Sequence, residues 1–449
     1  MNEIQRLKRY FPFLNNYFPS SCAQARTFAS ENKHIVMRKN IFIFVLTAMS
    51  LSAQAQMQYA NPVITRSAPD PTIIRDGRIF YLYSTENIHN VPIYASRNLT
   101  EWSYVGTCFT DQTRPKMVPD GSIWAPDINK IGDNYVLYYS KSKWGGEWEC
   151  GIGVATAKSP RGPFKDVGKL FISSEIDVQN SIDPFFIEEE DGRKYLFWGS
   201  FRGIYGIELS EDGLSLKPGA EKQRIAGTET EATYIHKRDG YYYLIGSAGS
   251  CCEGLNSTYR LVMARSKNLF GPYVNKEGKA ALDNNFSLLL QRSTRVVGPG
   301  HCSEIVQDDA GQDWILYHGF DVDDPEAGRK VYLDPVSWVN GWPMIRRSMP
   351  SATGDAPLFG ASADVEELPA EAEGFVVLPR SVRDSFTIHS TSDTSLFRWR
   401  LVGLHGEVVK SGSGQKKAKV NMADVPEGMY IVTINSKKGE TSQKILRRP

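Results

Sequence analysis

Five short stretches of this 449-residue chain repeat one arrangement, an ionisable side chain four positions before an isoleucine. They are Asp70 before Ile74, Asp127 before Ile131, Asp183 before Ile187, Glu231 before Ile235 and His301 before Ile305. Gathering four carboxyl groups and an imidazole is costly unless they share protons, meet cations or bind a metal. One Asp-Pro pair would do no more than start a strand or a turn. Five such groups in register point to one shared pocket. Paired carboxyls suit cleavage of a glycosidic bond, in which one group protonates the departing oxygen while another activates water or attacks directly. Glu231 has the longest arm of the set and suits the acid. Asp70 is then the general base, and Asp183 keeps the acid protonated through its own charge and orients it.

The elements that carry these groups repeat as well. Each stretch is followed, after a turn, by an aromatic-rich strand: Phe80–Tyr83, Tyr135–Tyr139, Tyr195–Trp198, Tyr241–Ile245 and Trp314–Tyr317. The turns carry Asp76-Gly77, Gly132-Asp133, Asp191-Gly192, Asp239-Gly240 and Gly311, residues that tight hairpins prefer. Further β-like sequence follows the first four pairs, giving units of about fifty residues with room for four strands each. The expected fold class is therefore all-β, a five-bladed β-propeller over residues 56–350, in which the innermost strand of every blade faces the axis. A β-sandwich would not repeat one polar residue at one register. Residues 351–374 turn to Ala, Pro, Glu and Gly and read as a linker. Residues 375–449 alternate in β fashion and read as a small sandwich-like domain.

The leading segment reads as an address. Arg38 and Lys39 precede the apolar run Ile41–Ala53 and the small-residue pattern Ala53-Gln54-Ala55, so residues 37–55 are an expected secretory signal peptide. Met37 stands directly before the basic pair, and residues 1–36 read as an extension ahead of the true start. The apolar run is too short to span a bilayer comfortably, and no transmembrane span is expected in the mature chain. A formal net charge of +1 gives no reason to expect nucleic acid, and suits a neutral polymer. Five cysteines follow the leader: Cys108, Cys150, Cys251, Cys252 and Cys302. An odd number excludes a complete disulfide framework but leaves room for one or two bridges, and Cys251-Cys252 is either a vicinal disulfide or, the favoured reading, two packed thiols. Trp102, Trp144, Trp148 and Trp198 are read as packing residues.

The motifs resemble glycoside hydrolase family 43 over roughly residues 60–350. Ala68-Pro69-Asp70-Pro71, Asn180-Ser181-Ile182-Asp183-Pro184 and Glu231 are similar to that family's base, modulator and acid motifs, and the resemblance implies inversion at the anomeric carbon. Within the family the chain most resembles the arabinanases, through Trp124-Ala125-Pro126-Asp127, Gly199-Ser200-Phe201 and the run from Cys251 to Tyr259. That likeness implies an arabinose-containing plant polysaccharide, α-1,5-linked arabinan, as substrate. It places Trp124, Asp127, Asn180, Ser181, Ser200 and Phe201 against sugar. Gly298-Pro299-Gly300-His301 is similar to the family's channel histidine, which implies a calcium ion held largely through water and no organic cofactor. The acid motif departs from the family at Glu231-Ala232-Thr233-Tyr234, where a proline commonly precedes the tyrosine, so Glu229 competes with Glu231 and register with Ile235 favours Glu231. An exo-acting arabinofuranosidase or β-xylosidase and a non-catalytic sugar-binding propeller are the alternatives. The C-terminal segment resembles the sorting domain of the type IX secretion system, through Gly428-Met429-Tyr430-Ile431-Val432 and the basic end. It implies that machinery as a partner, with export across the outer membrane and release or cell-surface attachment.

Overall fold

A computed structural model describes residues 57–359, 375–378, 381–390, 396–403, 408–436 and 439–448. The expected leader and most of the expected linker lie outside the described residues.

The fold is all-β. Five antiparallel sheets follow one another along the chain, each beginning at one of the repeated stretches. The first contains Thr72–Asp76, Ile79–Tyr83, Pro92–Ser96 and Ser103–Thr107. The second contains Ser122–Ile131, Asn134–Ser142, Gly151–Ala157 and Lys165–Ile172. The third contains Phe185–Glu188, Lys194–Trp198, Ile204–Glu208 and Gln223–Ala226. The fourth contains Thr230–Arg238, Tyr241–Ala248, Arg260–Ser266 and Ser287–Leu290. The fifth contains Val296–Cys302, Asp313–Asp321, Arg329–Val339 and Trp342–Met344, with the short Val306–Gln307 paired to its second strand.

The aromatic runs are the second strands of these sheets, and burial on both faces explains their composition. Tyr83, Tyr138, Tyr139, Trp198, Tyr243 and Tyr317 are fully buried between sheets. Their polar ends find partners, as burial requires: Tyr138 donates to the Gly213 carbonyl at 2.7 Å and Trp198 Nε1 to Ser181 Oγ at 3.0 Å.

Hydrogen bonds join neighbouring sheets in a complete circuit. One residue per sheet, at or just before the inner strand, is held in the left-handed region: Asp70, Ala125, Asp183, Ala232 and His301, with φ of 57°, 39°, 58°, 57° and 41°. That conformation is uncommon outside glycine and needs surrounding structure to fix it. Four of the five backbone N–H groups donate to a polar side chain from the second strand of the preceding sheet or just beyond it. Ala125 uses Thr85 Oγ1 (2.7 Å), Asp183 uses Ser140 Oγ (2.9 Å), His301 uses Ser247 Oγ (2.8 Å) and Asp70 uses His318 Nδ1 (3.0 Å). Ala232 donates to Asp183 Oδ2 at 3.1 Å. The bond from Asp70 to His318 ties the first sheet to the fifth. Nearby, Gln58–Ala60 pairs with Thr353–Asp355, bringing the two ends of this region together.

The C-terminal residues form one eight-stranded sheet. Its pairings are antiparallel except that of Ser381–Val382 with Gly439–Arg447. Phe386, Ile388, Phe397, Leu401, Val420, Val432 and Ile434 form its core. The strand Leu396–Gly403 alternates exposed and buried side chains, as a strand with one covered face must.

Candidate active site

A cavity of about 780 Å³ opens beside the repeated left-handed turns. Asp70 comes from the first sheet, Asp183 from the third, Glu231 from the fourth and His301 from the fifth, and all four line the cavity. The three carboxylates are 8 %, 6 % and 8 % exposed, so their charges are felt nearly undiluted.

Their environments push proton affinity in opposite directions. Burial alone would raise the Asp70 carboxyl, but Arg329 and His301 more than offset it and hold Asp70 well below the usual carboxylate range. Arg329 lies 3.1 Å from Asp70 Oδ1, His301 Nδ1 3.3 Å and His318 Nδ1 3.2 Å, while Thr85 Oγ1 donates to Oδ2 at 2.5 Å. Asp183 has no cation at hydrogen-bonding distance among the described residues. Burial and the neighbouring Glu231 carboxylate push it up to about 8. Glu231 is raised too, chiefly by burial, against the pull of two donors: Ser200 Oγ at 2.5 Å on Oε2 and Tyr259 OH at 2.6 Å on Oε1. Asn180 Nδ2 holds the Ser200 hydroxyl at 2.9 Å, completing a short chain from the third sheet to Glu231. The result is one carboxylate kept ionised beside two that favour a proton, the division of labour that acid–base hydrolysis needs.

The two histidines differ. Burial would lower His301, but Asp70, Asp183 and Glu231 outweigh it and raise the imidazole. His318 is wholly buried and pushed down to about 4 by burial and by Arg329. Its Nδ1 accepts the Asp70 N–H, so the ring is neutral, and Nε2 has no hydrogen-bond partner among the described residues.

Other expected residues divide between the cavity and the body of the ring. Trp124, Asn180, Ser200 and Phe201 line the cavity. Asp127 does not. The strand Ser122–Ile131 carries a bulge between Trp124 and Asp127, and Ala125, two residues earlier, takes the left-handed position that Asp70 and Asp183 occupy in their sheets. Asp127 therefore lies deeper, accepting from Phe186 N at 2.8 Å and Asn129 Nδ2 at 2.7 Å and sharing a hydrogen bond with the Glu304 carboxyl. Ser181 also lies outside the cavity lining: it is fully buried, donates to the Val178 carbonyl at 2.8 Å and receives the Trp198 indole. Glu229 is exposed and outside the cavity lining, whereas Glu231 lies within it.

Two further readings change. Cys251 and Cys252 are joined in a disulfide and line the cavity, not packed as thiols. Trp144 is 80 % exposed on the cavity wall, edge-on to Trp124 at 5.7 Å, and Trp148 is 47 % exposed, so neither is a core residue. Arg329, His318 and Thr85 belong to no motif that sequence reading could single out, and Tyr259 was visible only as the end of a recognised run.

The residues at His301 do not build a protein cage for calcium, which takes six to eight oxygen ligands. His301 offers one imidazole whose Nδ1 faces Asp70, and among the described residues no group of three or more His, Cys, Asp or Glu is arranged to hold an ion.

Comparison with known proteins agrees with this geometry. Residues 59–343 match the model for glycosyl hydrolases family 43, and residues 377–448 match that for a secretion system C-terminal sorting domain. The extracellular endo-α-(1→5)-L-arabinanase 1 of Bacillus subtilis is 32 % identical over 287 residues, covering 61 % of this chain and 86 % of that protein. The extracellular exo-α-(1→5)-L-arabinofuranosidase of Cellvibrio japonicus is 32 % identical over 303 residues, covering 62 % and 85 %. The structure of Cellvibrio cellulosa α-L-arabinanase complexed with arabinohexaose superposes with a TM-score of 0.58 at 31 % identity, covering 62 % of this chain and 96 % of that one. The endo-arabinanase from Bacillus licheniformis gives 0.56 at 28 %, covering 64 % and 99 %. The chain belongs to glycosyl hydrolases family 43, a family of inverting glycoside hydrolases, and carries a secretion sorting domain at its C-terminal end.

Proposed function

We propose that this enzyme hydrolyses α-1,5-linked L-arabinan with inversion, on a five-bladed propeller whose blades are the five sheets. The observation that carries the reading is the opposed proton affinity of Asp70 and the Asp183–Glu231 pair around one cavity. Glu231 delivers its proton to the departing glycosidic oxygen, and Asp70 takes one from the water that attacks the opposite face of the sugar. Asp183 and Glu231 crowd one another, so the buried pair holds a proton near neutral pH, and Asp183, by accepting the Ala232 N–H, fixes the backbone beside Glu231. Once Glu231 is ionised, Ser200 and Tyr259 stabilise the new charge. Asp70 is a weak base for its task, because Arg329 holds its proton affinity down. In return it is fully ionised whenever the acid is protonated. Trp124, Trp144, Asn180 and Phe201 would contact the polymer.

Incubation with linear α-1,5-arabinan followed by product analysis tests this. A ladder of oligosaccharides identifies endo action. Arabinose alone identifies exo action, a second reading favoured by the likeness to the Cellvibrio japonicus enzyme. Absence of any product overturns the substrate.

The sorting domain supports export through the type IX secretion machinery, with release or attachment at the cell surface. A water-held calcium at His301 rests on the family resemblance alone, and no step passes through it. Dialysis against EDTA followed by a thermal melt tests its presence, and an unchanged melt removes it.

A further inference from the structure

Polar side chains outnumber apolar ones around the cavity, but apolar atoms make up the larger share of its surface. Ile182 and the rings of Trp124, Trp144, Phe201 and Tyr259 supply part of the apolar wall, and the Cys251–Cys252 disulfide supplies another part. The disulfide sits between the second and third strands of the fourth sheet, beside the sheet's own carboxylate Glu231. Cys252 is exposed and Cys251 partly so.

The loop that carries it is already held without the sulfurs. Thr258 and Tyr259 N–H groups donate to the Ser250 carbonyl at 3.2 and 3.1 Å, Glu253 N–H donates to Ser257 Oγ at 2.9 Å, and Ser257 Oγ donates to the Cys251 carbonyl at 3.2 Å. At the loop's foot Gly249 has φ +89° and lies so close to Thr258 that a Cβ would meet the Thr258 carbonyl oxygen at 2.5 Å. Just beyond the loop stands Tyr259, whose hydroxyl donates to Glu231. What the disulfide adds is a fixed sulfur surface turned to the cavity, one loop away from the group that protonates the leaving oxygen. Among the described residues the remaining cysteines, Cys108, Cys150 and Cys302, are buried and unbonded.

We propose that the Cys251–Cys252 disulfide is a specificity-determining wall of the cleft, against which the carbon–hydrogen face of a furanose ring packs on the leaving-group side of the bond being cut. This rests on the function proposed above. A sugar ring presents hydroxyls at its edge and C–H groups on its face, and the face is best met by a surface that makes no hydrogen bonds of its own. Divalent sulfur is polarisable and apolar enough to serve. Bonding the two side chains to each other removes their rotamer freedom before substrate arrives, so little ordering is lost on binding. Reduction would turn that surface into two rotating thiols and leave the loop's backbone hydrogen bonds in place.

The test is reduction of the folded, full-length enzyme with a phosphine, which breaks the S–S bond, places a hydrogen on each sulfur and leaves the phosphine as its oxide. Thiol titration of the native protein reports conversion, since the other described cysteines are buried. Steady-state kinetics with linear arabinopentaose are then compared with those of untreated enzyme and of a Cys251→Ser, Cys252→Ser double variant. The expected result is a KM raised about 2–10-fold, the range of one good sulfur contact, with kcat and the melting temperature little changed in both preparations. An unchanged KM at full reduction overturns the inference. So does a parallel fall of kcat and melting temperature in the reduced enzyme, which would make the bond a brace for the loop. Turnover of arabinopentaose by untreated enzyme separates these failures from failure of the proposed function, which would show as no turnover before any reduction.

Discussion

Two sets of carboxyl groups occupy the ring of sheets, and they differ in what surrounds them. Asp70, Asp183 and Glu231 line the cavity, with Arg329 and His301 fixed on one side of the set only. Asp127 and Glu304 lie outside its lining and answer mainly to backbone: Phe186 N donates to Asp127 at 2.8 Å and Ile73 N to Glu304 at 2.9 Å, with Thr72 Oγ1 on Glu304 at 2.9 Å. Both carboxyls of this inner pair are raised, by burial first. The inner pair is symmetric in effect, joining the first, second, third and fifth sheets through a shared hydrogen bond. The outer set is asymmetric, with a cation beside one carboxylate and none bonded to the others. The proposed division into acid and base rests on that asymmetry, and the inner pair has nothing comparable. A carboxylate in a propeller axis is thus no sign of catalysis until its neighbours are known.

Substitution should break the comparison most sharply. Asp70→Asn and Glu231→Gln keep shape and remove the proposed base or acid, so kcat on arabinan should fall about 10²–10⁴-fold, the usual worth of positioned acid–base groups, with little loss of melting temperature. Asp127→Ala should do the reverse. It strips the Phe186 N–H of its acceptor, and a buried unsatisfied donor costs about 1–3 kcal/mol. Urea denaturation should show that loss while kcat measured on the folded enzyme stays within about twofold. An Asp127→Ala variant that is stable but inactive would place the inner pair in the chemistry and erase the distinction.

Acidity sharpens it next. The basic limb of the kcat profile should fall near pH 8, where Asp183 loses its proton and the shared proton leaves the Asp183–Glu231 pair. Asp70 is held so low that its protonation should not limit activity near neutrality. The same shift acts on stability. Asp183 binds its proton more tightly folded than unfolded, so its contribution is fully present below about pH 4 and is lost progressively as pH rises toward about 8. Melting temperature of the wild type should therefore fall more steeply between pH 5 and pH 8 than that of Asp183→Asn. Equal slopes would show that Asp183 is not raised.

Much of this was legible because the repeat is written in residue types. Isoleucine spacing picked out Asp70, Asp183, Glu231 and His301, and aromatic runs picked out the second strands. The spacing failed at Asp127 because a bulge after Trp124 moves the left-handed turn to Ala125, and a bulge changes which residue faces the pocket without changing composition. Glu304 was hidden for the same reason, three residues past the His301 turn. Arg329 and His318 come from the third and second strands of the fifth sheet, and their partner Asp70 lies 259 and 248 residues away, a closure that no local pattern records. Adjacent cysteines likewise carry no local mark of whether they are bonded.

Trp144 gives the smallest expected effect and the finest test of where the outer region ends. A core indole would be covered, and this one is 80 % exposed, with its edge contact to Trp124 its one aromatic pairing among the described residues. Removing it should leave the fold alone, because it supports little packing, and should leave the acid and base alone, because it belongs to a loop of the second sheet and bonds to neither. A stacked ring is worth about 0.5–1.5 kcal/mol beyond its buried area. Trp144→Ala should accordingly raise KM for arabinopentaose about 2–10-fold with kcat unchanged, and have less effect on arabinobiose, which is too short to reach a distant platform. Equal effects on both substrates would move Trp144 next to the bond being cut. No effect on either would take Trp144 out of the sugar-binding surface and leave it to Trp124, Asn180, Phe201 and the fourth-sheet side of the cavity.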